Sequence, residues 1–170
     1  MLNHMHLPKS AIILLLMALL SHVVYAKEVV GWVERIKLYP GEMILKAKID
    51  TGAKNSSINA RNIDEFTRDG DPWIRFEVTD PHGHKVKIER QLERRARIQR
   101  HFGKLQTRPV VVLGVCMGDM YKDIEVNLVD RKGFIYPVLI GRSFLKENIL
   151  VDATLTFTRE PGCKGVGPGG

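Results

Sequence analysis

The chain has 170 residues, with 26 lysines and arginines against 19 aspartates and glutamates, a formal net charge of +7, and only two cysteines. That length suits one domain and excludes two full-sized hydrophobic cores. No segment repeats at the period of roughly 20–50 residues that marks solenoids and propellers.

Met1 to Ser10 carries a single lysine, Lys9, and Ala11 to Leu20 is an unbroken apolar run. Val24-Tyr25-Ala26 then supplies the small-x-Ala pattern read by signal peptidase, so residues 1–26 are predicted to be a secretory signal peptide cleaved after Ala26. The apolar run falls short of the about 20 residues that span a bilayer, and His22 interrupts it, so no stable membrane anchor is expected after cleavage. The mature chain then starts at Lys27, periplasmic or secreted, with a net charge of +6 (25 basic minus 19 acidic).

Beyond Lys27 the sequence reads as short strands separated by turns. Val29 to Leu38 is β-branched and aromatic, and Tyr39-Pro40-Gly41-Glu42 makes a turn. Met43 to Ile49 is a second strand that runs into Asp50. Trp73 to Val78 alternates apolar with charged residues, as a half-buried strand does. Asp80-Pro81-His82-Gly83-His84 is a turn, with Lys85 to Ile88 as its hairpin partner. Val110 to Leu113 and Ile124 to Val129 flank a hairpin signal at Gly118-Asp119. Gly133 to Ile140 is predicted as a strand, Ser143 to Glu147 as a short helix, and Ile149 to Phe157 as a last extended segment. Many short strands with turns between them point to an all-β domain, closed or sandwich-like.

Two stretches depart from this pattern. Glu89 to Lys104 holds five arginines and few strand formers, and reads as a long solvated hairpin or a short helical insert. Its charge suits a solvated loop, or a basic flap that concentrates an acidic peptide. Phe102 is its one aromatic residue, too few for a stacking platform, so no nucleic-acid partner is expected. Residues 159–170, rich in glycine and proline, cannot bury apolar surface and are predicted to be disordered. With Cys163 in that tail, no structural bridge to Cys116 is expected, and Cys116 reads as a buried small hydrophobe.

The sharpest chemical signal is Lys48-Ile49-Asp50-Thr51-Gly52-Ala53. A carboxylate leaves an apolar strand, a hydroxyl residue follows that can hold it, and a glycine lets the backbone turn and approach a substrate. The bare triplet Asp-[Thr/Ser]-Gly arises by chance in about one chain in fifteen of this length. A second element adds weight: Pro137-Val138-Leu139-Ile140-Gly141-Arg142 sets apolar residues before glycine and arginine, at the entry to the predicted helix.

These two motifs, in this order, resemble those of the retropepsin-like aspartic peptidases, and the resemblance runs from Val29 to Phe157. Lys48 to Ala60 together with Tyr136 to Arg142 is similar to a bacterial branch labelled ATP-dependent zinc protease. The resemblance implies a domain over 27–158, an all-β retropepsin-like closed barrel with one short C-terminal helix and one lobe per chain. It implies that Asp50 is catalytic and that Thr51 locks two halves together beneath a catalytic dyad. Gly52 and Ala53 then support the dyad and meet the substrate backbone, and Ile140, Gly141 and Arg142 pack behind the active-site loop. The mechanism needs two carboxylates around one water, and the chain has one Asp-Thr-Gly, so a homodimer is implied. The expected activity is hydrolysis of a peptide or protein in the cell envelope. Relatives encoded near ATP-grasp peptide ligases suggest glutamate-rich, acidic peptides.

In viral retropepsins an aspartate follows the alanine and pairs with the arginine; here that position is Lys54, and Asp64 or Glu65 are the candidate partners of Arg142. No cofactor is expected: the sequence has no Gly-x4-Gly-Lys-[Ser/Thr] loop for ATP. Nor has it a His-Glu-x-x-His helix for zinc. His82-x-His84 lies in a turn without an obvious third ligand, and His101 sits among arginines, so no metal residue is assigned. A non-catalytic envelope binding protein and a zinc metalloprotease are the alternative functions.

Overall fold

A computed structural model describes residues 26–98, 105–130, 133 and 135–164. The signal peptide expected over 1–26 lies outside these residues except for Ala26, as do 99–104, with His101 and Phe102, and the end of the tail, 165–170. Among the described residues, eleven strands and one short helix follow one another. They are β1 (Glu28–Tyr39), β2 (Met43–Ile49), β3 (Ser56–Asn59), β4 (Arg61–Arg68), β5 (Asp71–Thr79), β6 (Lys85–Gln91), β7 (Arg94–Ile98), β8 (Gln106–Met117), β9 (Met120–Val129), β10 (Val138–Ile140), α1 (Arg142–Leu145) and β11 (Ile149–Thr156).

Strands β1, β2, β10, β3, β9 and β8 are hydrogen-bonded in that order, and β8 returns to β1 through Lys37–Cys116, Leu38–Val115 and Tyr39–Gly114. The sheet therefore closes into a barrel, and the fold is the all-β closed barrel with one short helix near its end. Strand β11 lies parallel to β1 outside the ring, and β7 extends it beyond β8. Strands β4, β5 and β6 form a separate antiparallel sheet.

The pattern of β2 shows why it sits where it does. Met43, Leu45, Ala47 and Ile49 point inward and are buried, while Ile44, Lys46 and Lys48 point out, the period of two that a strand imposes. In the second sheet Ile74, Phe76, Val78 and Ile88 join the same core as the barrel residues. Each large side chain buried this way contributes roughly 1.5–3 kcal/mol. The outer face of that sheet is a polar-aromatic layer. Arg68 stacks on Trp73 at 4.2 Å and Arg75 on Phe66 at 4.9 Å, and both arginines pair with Glu89. Those pairs, Arg75 first and then Arg68, hold the half-buried Glu89 carboxyl below its ordinary range.

Several expectations need correction. The described part of the arginine-rich segment is not a helix: it forms the end of β6 and all of β7, which pairs antiparallel with the following strand β8 as a hairpin does. Backbone pairing to β8 supplies the order that its residues do not favour intrinsically, and Arg94 and Arg95 pair with Glu125 and Glu65. Of the strand expected over Gly133 to Ile140, the described residues form a strand at Val138–Ile140, since Pro137 has no N–H for a ladder; its carbonyl accepts from Asn59 N at 2.8 Å.

The end of the chain differs most. Cys116 and Cys163 form a disulfide, against the expectation of none, and residues 159–164 run along the barrel instead of being disordered. Polar contacts, not apolar burial, hold this strap. Glu34, 1% exposed, accepts from Gly31 N and from both the N–H and hydroxyl of Thr158. Phe157 N donates to Val33 O at 2.8 Å, Arg35 pairs with Glu160, and Gly162 N donates to Gly118 O at 2.7 Å. Composition alone does not register such contacts, since they depend on where the strap is laid.

Candidate active site

The Asp50 turn is built by three strands that are distant in sequence. Strand β2 ends at Ile49, and β10 lies beside it in parallel with Ile140 opposite Ile49. Asp50 N donates to Ile140 O at 2.9 Å, so the residue before Gly141 fixes the first residue of the turn. On its other edge β10 pairs antiparallel with β3, which carries the chain away from the turn. The short β10 thus threads between the two ends of the loop it supports.

Within the turn, Asp50 is half-buried and its Oδ1 accepts from Gly52 N at 2.9 Å and Ala53 N at 3.2 Å. Two backbone donors on one oxygen fix the carboxylate and leave Oδ2 for other chemistry. Thr51 and Gly52 are exposed at the tip. The turn is tied back at its far side: Arg142 N donates to Ala53 O at 2.9 Å and Ser143 N to Lys54 O at 3.0 Å. Sequence reasoning expected Arg142 to pair with Asp64 or Glu65. Instead its Nη1 donates to Thr51 O at 2.8 Å and Gly52 O at 2.7 Å. Asp64 faces Arg75 and Glu65 pairs with Arg95. A guanidinium needs acceptors, not necessarily acids, and the orphan carbonyls of a tight turn serve. The residues expected at the site, Asp50, Thr51, Gly52, Ala53, Ile140, Gly141 and Arg142, are thus brought into one hydrogen-bonded unit.

Gly141 shows how close that packing is. A Cβ there would lie 2.7 Å from the carbonyl carbon and oxygen of Asn55 and 2.9 Å from Lys54 O. These are backbone atoms, which cannot swing aside. Gly141→Ala is expected to destabilise the protein by about 1–3 kcal/mol, read as a lower Tm in a thermal melt. An unchanged Tm would show that the turn yields freely.

Asp50 opens on a cleft of about 560 Å³, lined also by Trp32, Lys48, Ile135, Tyr136 and Leu139. Trp32 and Tyr136 meet edge to face, with centroids 5.9 Å apart, and form an aromatic wall beside the carboxylate. A cavity of about 600 Å³ lies elsewhere, between the β1–β2 turn and the Asp80–His84 turn, and shares no residue with the Asp50 turn. His82 and His84 sit there at an exposed tip, where Asp80 Oδ1 accepts both their backbone N–H groups and its Oδ2 meets His84 Nδ1 at 3.0 Å. Among the described residues, no three histidine, cysteine or acidic side chains gather as metal ligands would.

The model of the family described as the retropepsin-like aspartic endopeptidase RimB matches residues 29–162. The chain belongs to the RimB-like family. The crystal structure of Lpg0085 from Legionella pneumophila, a protein of unknown function, is similar to this RimB-like chain with a TM-score of 0.68 and 39% identity, covering 76% of this chain and 96% of that one. The chain is also 31% identical to a "Probable alpha-L-glutamate ligase" of Shewanella halifaxensis and 36% identical to one of Parasynechococcus marenigrum. These matches cover 69% and 64% of the RimB-like chain but 26% and 24% of the ligases. The chain therefore spans about a quarter of the length of these curated relatives.

Two further residues of the RimB-like site were not singled out from sequence. Ser56, fully buried, accepts from Gly141 N through its Oγ at 3.2 Å. Asn127 on β9 donates through Nδ2 to Ser56 O at 3.1 Å. The signal that could have found Ser56 is the polar run Lys54-Asn55-Ser56-Ser57 between the turn and an apolar strand. Small polar residues held in such a place have a backbone group to satisfy.

Proposed function

We propose that this protein is an aspartic endopeptidase whose active unit is a homodimer, with one Asp50 from each chain. The observation that carries the reading is the Asp50 turn itself: a half-buried carboxylate fixed by two backbone N–H groups beside an exposed tip, opening on a cleft of about 560 Å³. One carboxylate of the pair acts as general base and takes a proton from a water, whose oxygen attacks the scissile carbonyl carbon. The other, protonated, donates to the carbonyl oxygen. The resulting tetrahedral diol collapses as the carbon–nitrogen bond breaks and the amine leaves with a proton. Water is the only co-reactant.

Lys48 stands two residues before Asp50 and lines the same cleft, which supports an acidic peptide as substrate. The glutamate ligases that share this domain support the same class. The Cys116–Cys163 disulfide supports an oxidising compartment, in line with a periplasmic or secreted mature chain from Lys27.

Dilution tests the dimer directly. Activity per chain is expected to fall steeply once the concentration drops below the dimer's dissociation constant, with sensitivity to a pepstatin-type inhibitor and none to a chelator. Constant activity per chain at high dilution would leave a monomeric enzyme, and loss of activity to the chelator would make it a metalloprotease.

A further inference from the structure

Trp32, which walls the Asp50 cleft together with Tyr136, stands at an irregular point of β1. Gly31 lies opposite Asp152 on β11, but Val33 lies opposite Thr156. Strand β11 thus advances four residues while β1 advances two, and the surplus presses against β1. A Cβ on Gly31 would lie 2.4 Å from Leu155 O, so a glycine is needed for the two backbones to come so close. On its other side, the pairing of β1 with β2 begins at Val33, opposite Lys48. Trp32 therefore falls between the paired residues of one ladder and before those of the other.

The strap that begins at Phe157 holds this stretch, and its contacts fall on the three residues after Trp32. Phe157 N donates to Val33 O, Thr158 donates to the Glu34 carboxylate, and Arg35 lies 4.5 Å over the Phe157 ring and pairs with Glu160. Glu34 carries the effect back across the tryptophan. Its Oε1 accepts from Thr158 Oγ1 at 2.7 Å and from Gly31 N at 2.6 Å, so one buried oxygen joins the strap to the residue before Trp32. If the strap leaves, Glu34 loses both Thr158 donors, and a buried carboxylate short of donors is strongly unfavourable. Turning outward to water relieves it and frees Gly31 N as well. The bridge from Cys163 to Cys116 anchors the far end of the strap. Without it the strap is a chain end, and the entropy of ordering residues 157–164 works against the few hydrogen bonds that hold them.

We propose that the Cys116–Cys163 bridge is a redox-sensitive control on the Asp50 cleft: with the bridge formed the strap holds Trp32 in the wall, and with it reduced the wall loosens. Cys116 is fully buried and Cys163 half-buried, so a dithiol reductant attacks Cys163 Sγ. The S–S bond breaks, Cys116 leaves as a thiolate and takes a proton, and the dithiol's second sulfur displaces Cys163 as it closes its own disulfide. Two electrons and two protons pass from the dithiol to the two cysteines. The reverse exchange, with an oxidising disulfide, restores the wall. A chain in reducing surroundings then has a loose cleft, and arrival in an oxidising compartment tightens it. The control goes beyond the peptidase reading, since it concerns when the cleft is formed and not what is cut there.

Trp32 and Trp73 are the two tryptophans of the chain, so in a Trp73→Phe protein the indole fluorescence reports Trp32 alone. Acrylamide quenching of that emission is measured with and without dithiothreitol, well below the melting temperature. Reduction should raise the quenching constant about twofold while far-ultraviolet circular dichroism stays unchanged. Cys163→Ser should show the raised value from the start and ignore the reductant. Thr158→Val, with the bridge intact, should raise it part of the way, because it deletes the hydroxyl donor to Glu34. A quenching constant that does not move on reduction overturns the proposal. So does a Thr158→Val protein that matches the parent, and that variant decides the matter if the reduced protein unfolds. Turnover is scored apart. On a peptide substrate, reduction should raise KM about three- to tenfold and leave kcat within about twofold, because the donors to Asp50 lie on its own turn. An unchanged KM overturns the control on the cleft, and quenching as expected without cleavage of any peptide sinks the peptidase reading alone.

Discussion

Asp50→Asn is expected to lower kcat/KM on a peptide substrate by about a thousandfold or more while the fold stands. The magnitude is that of removing a general acid–base group, here from both chains at once. Asparagine has nearly the same shape, and its carbonyl oxygen can still accept from Gly52 N and Ala53 N, so the turn keeps its internal bonds. What is lost is the group that takes and returns a proton. The melting curve and far-ultraviolet circular dichroism should therefore match the parent protein. A mixing experiment sharpens the point. When parent and variant chains exchange freely in equal amounts, roughly one dimer in four carries two aspartates, so activity per parent chain should fall by about half. A variant that still cleaves peptides removes Asp50 from the chemistry; unchanged activity on mixing removes the partner chain.

Cys163→Ser should lower the stability of the protein by about 3 kcal/mol, and Tm by roughly 10 °C. The bridge joins residues 47 apart in sequence, and closing a loop of that length removes much of the unfolded chain's freedom. The chain-entropy limit for it is about 4 kcal/mol. We set the expectation lower because the strap from Phe157 to Gly162 is also held by Glu34, Arg35 and Gly118. Thermal melts with and without reductant provide the measurement. Reductant should bring the parent protein down to the variant's Tm and leave the variant where it was. If the variant melts within about one degree of the parent, the bridge adds nothing to stability and the polar contacts alone hold the strap.

The parts of the fold that the sequence made legible are those in which side chains carry their own instruction. Met43 to Ile49 alternates so regularly that both ends of β2 can be read from it, and Asp80 to His84 announces a turn through its proline and glycine. Strand β4 has no signal in the sequence, and β7 is open there between a hairpin and a helical insert. Arg61–Arg68 and Arg94–Ile98 have few residues that favour strands, and they are extended because neighbouring strands offer a ladder. The candidate site was legible to a similar degree. Asp50 to Ala53 and Ile140 to Arg142 form recognisable motifs, whereas Ser56 and Asn127 matter only because folding buries them against backbone groups. The sequence points to acids as partners of Arg142 because charge is visible in it; a carbonyl freed by a turn is not. The disulfide was missed for a related reason, since a polar strap pinned by hydrogen bonds has the composition of a loose tail.

The threading of β10 between β2 and β3 has a bearing on when the molecule can act. Arg142 lies 91 residues beyond Thr51, whose carbonyl it holds. A chain emerging from the ribosome presents Asp50 long before it presents the strand that frames it. Contacts so far apart in sequence close late, since the intervening chain must be ordered first. Any incomplete chain that stops short of Arg142 carries its carboxylate on a turn without the contacts that tie Thr51, Gly52 and Ala53 back. The frame of the Asp50 turn is thus complete only once the chain through Arg142 is in place.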